Sequence, residues 1–104
     1  MNLGKFREAL IKEDYIWRKH IHKRLAEREI SQTEVINALI RAELVEEYPE
    51  DMPYPSALFL GWVEGKAIHI VASFDEETSR VFLITAYYPD EVHFESDRKT
   101  RKKK

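Results

Sequence analysis

The sequence predicts an α+β fold in which two N-terminal helices pack on one face of a four-stranded antiparallel sheet. Apolar residues recur at helical spacing as far as about residue 43 and then alternate with polar ones, as they do in strands. The alternating stretches follow one another across short turns without intervening helices, and this order favours antiparallel pairing. Because 104 residues provide for one modest core, we expect a single domain over residues 1–104, with a disordered basic end at residues 97–104.

Two stretches have the apolar spacing of helices. The first is residues 5–28, with a break near Asp14 left open, and its apolar side chains are Phe6, Leu10, Trp17, Ile21 and Leu25. The second begins at Ser31-Gln32-Thr33-Glu34, which has the pattern of a capping box. In such a box the Ser31 hydroxyl accepts from the Glu34 N–H, and the Glu34 carboxylate accepts from the Ser31 N–H. We expect this helix to end near Arg41.

Four strands are predicted after the helices, at Leu44–Tyr48, Ala57–Val63, Ala67–Phe74 and Val81–Tyr88. Pro49, Pro53 and Pro55 exclude a helix between the first two strands, because proline lacks the N–H that a helix interior requires. Glu64-Gly65 indicates a hairpin between the second and third strands.

The expected register places His69 on the sheet face away from the helices. If Val63 opposes Lys66, Leu60 lies opposite His69. If Phe74 opposes Arg80, His69 lies opposite Thr85. The helix-covered face is then predicted to carry Phe59, Ile68, Ile70, Ala72, Phe74, Phe82, Ile84 and Ala86. The outer face is predicted to mix apolar and polar groups, as a binding surface does, with Leu58, Leu60, Trp62, His69, Val71, Ser73, Leu83, Thr85 and Tyr87.

The composition excludes several classes of chemistry. The chain has no cysteine, which rules out disulfides, thiol catalysis and zinc sites built on thiolates. It has three glycines and no glycine-rich loop, so no nucleotide cofactor is expected. His20 and His22 are two residues apart and fall on different helix faces, so no metal is expected either. No stretch of 18 apolar residues and no secretory leader is present, which predicts a cytoplasmic protein without membrane contact.

Charge is distributed unevenly although the total is only −2. Residues 5–28 carry a net charge of +4, residues 29–96 of −11 and residues 97–104 of +5. Such asymmetry favours an anionic partner for the basic segments. The alternative is a solvated helix face and a solubilising tail.

His20, Arg24 and Arg28 stand four residues apart and therefore share one helix face. Three stacked cations repel one another, so an anion must compensate them. A phosphate suits arginine, whose planar fork binds two oxygens at once. The alternative is pairing with the acidic middle of the chain. Lys23, Arg98 and Arg101 are further candidates for contacts with nucleic acid.

His69 and Tyr87 are the candidate acid–base groups of the predicted sheet. An imidazole titrates near neutral pH and suits proton transfer, and a tyrosine can orient a phosphate or donate a proton. The alternative is that both are ordinary packed residues of the sheet.

Several short motifs, taken in order, resemble a family of small bacterial proteins of unknown function. They are His20-x3-Arg24-x3-Arg28-x-Ile30-Ser31, Pro55-Ser56, Ile68-His69-Ile70-Val71, Thr85-Ala86-Tyr87-x-Pro89 and Lys99-Thr100-Arg101. The resemblance covers roughly residues 16–101. The chain departs from the family pattern at Glu29, where the family has glycine, and at Phe94, where it has tryptophan. The first departure puts a tight left-handed junction between the helices in doubt.

The family is similar to the RelE/ParE-like toxin superfamily. That similarity implies a RelE-like fold and a metal-independent endoribonuclease toxin, held by an antitoxin that resembles the MqsA/YgiT zinc fingers. His20 or His69 would serve as base or acid, Arg24 and Arg28 as cations, and Tyr87 as a phosphate-orienting or proton-donating group. The alternative is a non-catalytic module that binds protein or nucleic acid.

Overall fold

A computed structural model of the protein describes residues 1–89. These residues form three helices and five strands. In chain order they are α1 (Leu3–Ile11), β1 (Tyr15–Trp17), α2 (Ile21–Glu27), α3 (Gln32–Ile40), β2 (Glu43–Tyr48), β3 (Ser56–Val63), β4 (Lys66–Asp75) and β5 (Arg80–Tyr87).

The predicted first helix is in fact two helices separated by a short strand. α1 ends in a turn where Glu13 has φ 62° and the Asp14 N–H donates to the Ala9 carbonyl at 2.8 Å. This bond from the second residue beyond the cap is the closing contact of a Schellman motif, which turns the chain out of the helix. Three residues then pair with β5 as β1. The helical stretch predicted over residues 5–28 is therefore broken near Asp14, as the sequence allowed, but the strand that follows the break was not predicted.

The sheet has five strands in the order β1-β5-β4-β3-β2 and is mixed. β2 to β5 form the antiparallel meander that was expected, but β1 adds to β5 in parallel, with Ile16 opposite Phe82. The prediction of two helices on a purely antiparallel, four-stranded RelE-like sheet is therefore wrong. The α+β class and the N-terminal position of the helices are correct.

Two local predictions are confirmed in the part of the chain between α2 and β4. The Ser31 hydroxyl accepts from the Glu34 N–H at 3.1 Å, and the Glu34 carboxylate accepts from the Ser31 N–H at 2.9 Å, which completes the capping box. The β3–β4 hairpin turns at Glu64 and Gly65, with φ 48° and 82°, as a two-residue turn requires.

The core lies between the helices and one face of the sheet, called here the inner face. Its centre is aromatic, because Phe6 of α1 stacks on Phe59 at 4.9 Å and meets Phe74 edge-on at 5.6 Å. α2 and α3 complete the layer with buried residues that include Ile21, Leu25, Val35 and Leu39.

The three helices of the described chain have nine, seven and nine residues. None of the helices in residues 1–89 has the length and apolarity needed to cross a bilayer.

Candidate functional site

His69 and Tyr87 face each other on the sheet face opposite the helices, called here the outer face. They are direct partners in the β4–β5 register, with the His69 Nδ1 3.4 Å from the Tyr87 hydroxyl and the ring centroids 5.5 Å apart. His69 is 0% exposed, whereas Tyr87 is half-buried. His69 is therefore the more deeply buried residue of the pair.

A bulge in β5 determines which of its residues reach the outer face. The register shifts between Val71 and Ala72 of β4, and Ile84 is the residue left without a partner. As a result Leu83 points to the inner face and Phe82 to the outer face, the reverse of the expectation. Beyond the bulge Thr85 and Tyr87 are on the outer face, as predicted, but His69 lies opposite Tyr87 and not Thr85.

Arg28 connects α2 to the edge of β5. Its guanidinium donates to the Ala86 carbonyl at 2.9 Å and to the Thr85 hydroxyl at 3.5 Å. β1 covers this edge only as far as Leu83, so Arg28 binds where the paired edge has ended. The half-buried arginine thus lies beside the strand that carries Tyr87, and part of its predicted capacity for phosphate is used within the fold.

The position of Arg28 depends on the turn that follows it. The Ile30 N–H donates to the Leu25 carbonyl at 2.9 Å, and the Glu29 N–H donates to the Ala26 carbonyl at 3.2 Å. These two bonds form a Schellman motif with Glu29 in the left-handed conformation, φ 56°. The tight junction therefore forms although glutamate replaces the glycine of the family pattern.

The other predicted cations of α2 are exposed. His20 is the N-terminal cap residue and makes no capping bond with its side chain. Arg24 pairs loosely with Glu27 at 3.7 Å, and Lys23 is exposed beside it. Within residues 1–89, no hydrogen bond or ion pair joins His20 or Arg24 to His69 or Tyr87.

The structure thus brings together Arg28, Thr85, Tyr87 and His69, and places His20 and Arg24 on the same helix face as Arg28. The predicted contacts of Arg98 and Arg101, the predicted disorder of residues 97–104 and the substitution at Phe94 lie outside the described residues.

Tyr54, Phe82 and Arg18 form a cluster on the outer face that the sequence did not predict. Phe82 stacks on Tyr54 with the ring centroids 5.1 Å apart and the planes 10° from parallel. The Arg18 Cζ lies 5.5 Å from the centre of the Phe82 ring. The only signal in the sequence was the aromatic Phe82 beside Leu83, and which of the two points outward depends on the bulge.

Tyr88, next to Tyr87, lies on the opposite side of the sheet against the core. Burial raises the pKa of its hydroxyl, and the carboxylates of Glu34 and Glu64 raise this pKa further. The Lys66 ammonium lies 5.3 Å from its ring centre. Tyr88 is therefore a protonated packing residue at neutral pH, and a natural control for Tyr87.

Two cavities lie away from the His69–Tyr87 pair and from Arg28. One of about 480 Å³ is bordered by Tyr54 and by the carboxylates of Glu47, Asp75, Glu76 and Glu77, whose charge disfavours a phosphate there. The other, of about 590 Å³, lies between α3 and the end of β3. In the part of the chain that is described, no three His, Asp or Glu residues form a cluster that could hold a metal ion.

The family model described as domain of unknown function DUF4258 matches residues 17–88, which is more than half of the chain. The matched segment runs from the end of β1 into the residue after β5, and it contains every predicted site residue up to Tyr87. The protein therefore belongs to this family. No curated protein and no solved structure matches the chain.

Proposed function

We propose that this DUF4258 protein is a metal-independent endoribonuclease and acts as the toxin of a type II toxin–antitoxin system. The observation that carries the proposal is the bond from the Arg28 guanidinium to the Ala86 carbonyl. This bond fixes the basic face of α2 along the edge of β5. One end of that face lies beside Thr85, two residues from Tyr87 on the same strand.

RNA cleavage without a metal requires a base, a cation and an acid. The base takes the proton of a ribose 2′-hydroxyl, and the 2′-oxygen attacks the adjacent phosphorus. The bond from phosphorus to the 5′-oxygen breaks, and the acid gives its proton to that oxygen. The products are a 2′,3′-cyclic phosphate and a 5′-hydroxyl, with no water or metal consumed in the step.

The side chains of this surface suit those three roles. His20 is exposed and is the proposed base, while Arg24 and Arg28 stabilise the charge on the phosphorane. The half-buried Tyr87 is the proposed acid. His69 is the proposed positioning residue, because it is buried and its imidazole lies next to the Tyr87 hydroxyl.

The remaining basic residues would increase affinity without specifying a sequence. Lys23, Arg98 and Arg101 are proposed to contact RNA phosphates, which makes binding weaken as salt rises. An antitoxin resembling the MqsA/YgiT zinc fingers is the proposed protein partner, on the strength of the family resemblance.

A non-catalytic nucleic-acid-binding module is the second candidate function. It is favoured by the complete burial of His69 and by the lack of any bond, within the first 89 residues, from His20 or Arg24 to the His69–Tyr87 pair. Such a module would use the cations of α2 for phosphates and would need no proton transfer.

The test is cleavage of an end-labelled RNA oligonucleotide in the presence of a metal chelator, with the product ends identified. We expect a 2′,3′-cyclic phosphate. His20→Ala and Tyr87→Phe should each lower the rate about 10²- to 10⁴-fold, the usual scale for a lost acid or base. Arg24→Lys should restore little, because an ammonium lacks the bidentate fork.

Matched controls are available next to each residue. His22→Ala removes an exposed imidazole that contacts Gln32, and Tyr88→Phe removes the hydroxyl of the neighbouring tyrosine. Both should keep the wild-type rate, and melting temperatures should show that every variant is folded. The enzyme proposal fails if wild-type protein does not cleave RNA, with or without added ribosomes, and does not arrest growth on expression. The binding module then stands.

A further inference from the structure

A second group of outer-face side chains forms a stack at the other end of β5. Tyr54 comes from residues 49–55, Phe82 from β5, and Arg18 from the segment after β1. The two rings are nearly parallel at 5.1 Å, and the Arg18 Cζ is 5.5 Å from the Phe82 ring centre. Three separate segments thus converge on one outward-facing phenylalanine.

We propose that the Tyr54–Phe82–Arg18 stack binds a nucleobase of single-stranded RNA, on a nucleotide next to the one held at Arg28. The inference rests on the proposed function, which it extends by adding a base-binding subsite. Bases stack on aromatic rings and on guanidinium planes, and they do so with little sequence preference. Arg18 supplies both a plane and a positive charge for the neighbouring phosphate.

The stack lies on the same strand edge as the candidate site. The Arg18 N–H donates to the Leu83 carbonyl at 2.9 Å, and the Arg28 guanidinium donates to the Ala86 carbonyl at 2.9 Å. Leu83 and Ala86 are three residues apart, roughly 10 Å along a strand. An RNA strand that follows this edge therefore meets both arginines, with the exposed face of α2 between them.

The state of Arg18 also favours a ligand. Its side chain is exposed, and in residues 1–89 it takes part in no ion pair. By comparison Arg80, at the start of β5, is paired with Asp14 at 3.0 Å. Of these two arginines, Arg18 is therefore the one whose charge is available for an anion.

The experiment measures binding separately from cleavage. The probes are a 2′-O-methyl RNA oligonucleotide, which lacks the attacking hydroxyl, and the same oligonucleotide with one abasic position. Probes with 2-aminopurine at successive positions identify the stacked base through fluorescence quenching, and the abasic position is then placed there. Wild-type protein should bind the base-containing probe about 5- to 150-fold more tightly than the abasic one, the range expected for one stacked base.

Phe82→Leu should remove this preference without changing binding to the abasic probe. Arg18→Ala also removes the charge that faces the phosphate, so it should weaken binding to both probes, and to the base-containing probe the more. Phe82→Tyr should retain the preference. Trp62→Leu is the matched control, because Trp62 is a 59% exposed aromatic residue on β3, two strands away from β5. Circular dichroism and thermal melting show which variants are folded, and Arg18→Ala tests the stack if Phe82→Leu is not.

The binding and cleavage results test the base-binding subsite and the proposed nuclease activity separately. If the folded variants bind both probes as wild type does, or lose affinity for both equally, the stack is a packing feature and the inference is overturned. The same follows if wild-type protein binds neither probe. If wild-type protein cleaves RNA but shows no preference for the base-containing probe, the proposed function stands without the subsite. If it shows the preference but does not cleave RNA, the subsite is supported and the nuclease proposal is overturned.

Discussion

The two faces of the sheet carry side chains of different chemical character. The inner face is apolar and covered by helices, and the ring of Phe59 on β3 stacks on the ring of Phe6 on α1. The outer face carries an imidazole, hydroxyls and an aromatic stack, and arginines from outside the sheet border it at β5. The inner face is thus uniformly apolar, whereas the outer face combines buried apolar residues such as Leu58 with polar groups such as His69.

The outer face also contains a buried hydroxyl without a hydrogen bond. Ser73 is 3% exposed, and its hydroxyl has no hydrogen-bond partner among residues 1–89. A buried polar group left in that state costs about 1–3 kcal/mol. An apolar residue there would be more stable, so the outer face is not optimised for packing alone.

The largest expected effect is the contrast between Phe59→Ala and Phe82→Ala. Phe59 is 1% exposed and stacked on Phe6, so its removal leaves a cavity and should lower the free energy of unfolding by about 3–5 kcal/mol. Phe82 is only half-buried on the outer face, so its removal should cost clearly less. Chemical denaturation measures both. Equal losses would show that the outer stack contributes as much stability as the core and would break the comparison.

A smaller effect is expected at Gly61 of β3, which lies close to Ala38 of α3. A Cβ at this position would lie 2.9 Å from the Ala38 carbonyl oxygen, which is backbone and cannot move aside. Gly61→Ala should therefore lower the free energy of unfolding by about 1–3 kcal/mol.

Gly4→Ala is the matched control for that substitution. A Cβ at Gly4, inside α1, meets only the Asn2 side chain at 3.5 Å, an ordinary contact. Alanine in a helix is favoured over glycine by roughly 0.5–1 kcal/mol, so this variant should be more stable than wild type. Opposite signs for the two substitutions would confirm the close helix–sheet approach, and a neutral Gly61→Ala would contradict it.

Local patterns predicted the parts of the fold that depend on neighbouring residues. The capping box at Ser31 and the hairpin at Glu64-Gly65 formed as expected, and the hairpin fixed the β3–β4 register with Leu60 opposite His69. β1 was missed because Trp17 also fits the helical spacing of Ile21 and Leu25. Its pairing with β5 joins residues more than 60 positions apart, which no local period encodes.

The candidate site was predictable to the same extent. Helical spacing placed His20, Arg24 and Arg28 on one face, and strand alternation placed His69 and Tyr87 together on the outer face. The bulge at Ile84 could not be predicted, because strict alternation is the simpler pattern. For that reason Phe82 was assigned to the core and the stack with Arg18 was missed.

Arg28→Ala tests the connection between α2 and the edge of the outer face. The substitution removes a charged donor from the Ala86 carbonyl and the Thr85 hydroxyl, and bonds of this kind contribute about 1.5–3 kcal/mol when well formed. Because Arg28 is only half-buried, we expect a loss of roughly 1–2 kcal/mol in the free energy of unfolding. Arg24→Ala, four residues earlier and exposed, should change it by less than about 0.5 kcal/mol. Equal effects would mean that Arg28 does not anchor the helix.

The smallest effect is expected from Glu29→Gly, which changes the turn after α2 and leaves both faces intact. Glu29 has φ 56°, a conformation that costs an L-residue roughly 1–2 kcal/mol and costs glycine almost nothing. The greater freedom of glycine in the unfolded chain offsets part of this gain, so we expect about 0.5–1 kcal/mol of added stability in denaturant unfolding. Glu27→Gly, two residues earlier in the helical conformation, should instead lower stability, because glycine is a poor helix residue. If both substitutions destabilise, the glutamate side chain contributes something at this junction that outweighs its strain. If their signs differ as expected, the turn needs only a residue tolerant of positive φ, and the basic face of α2 should keep its position beside β5.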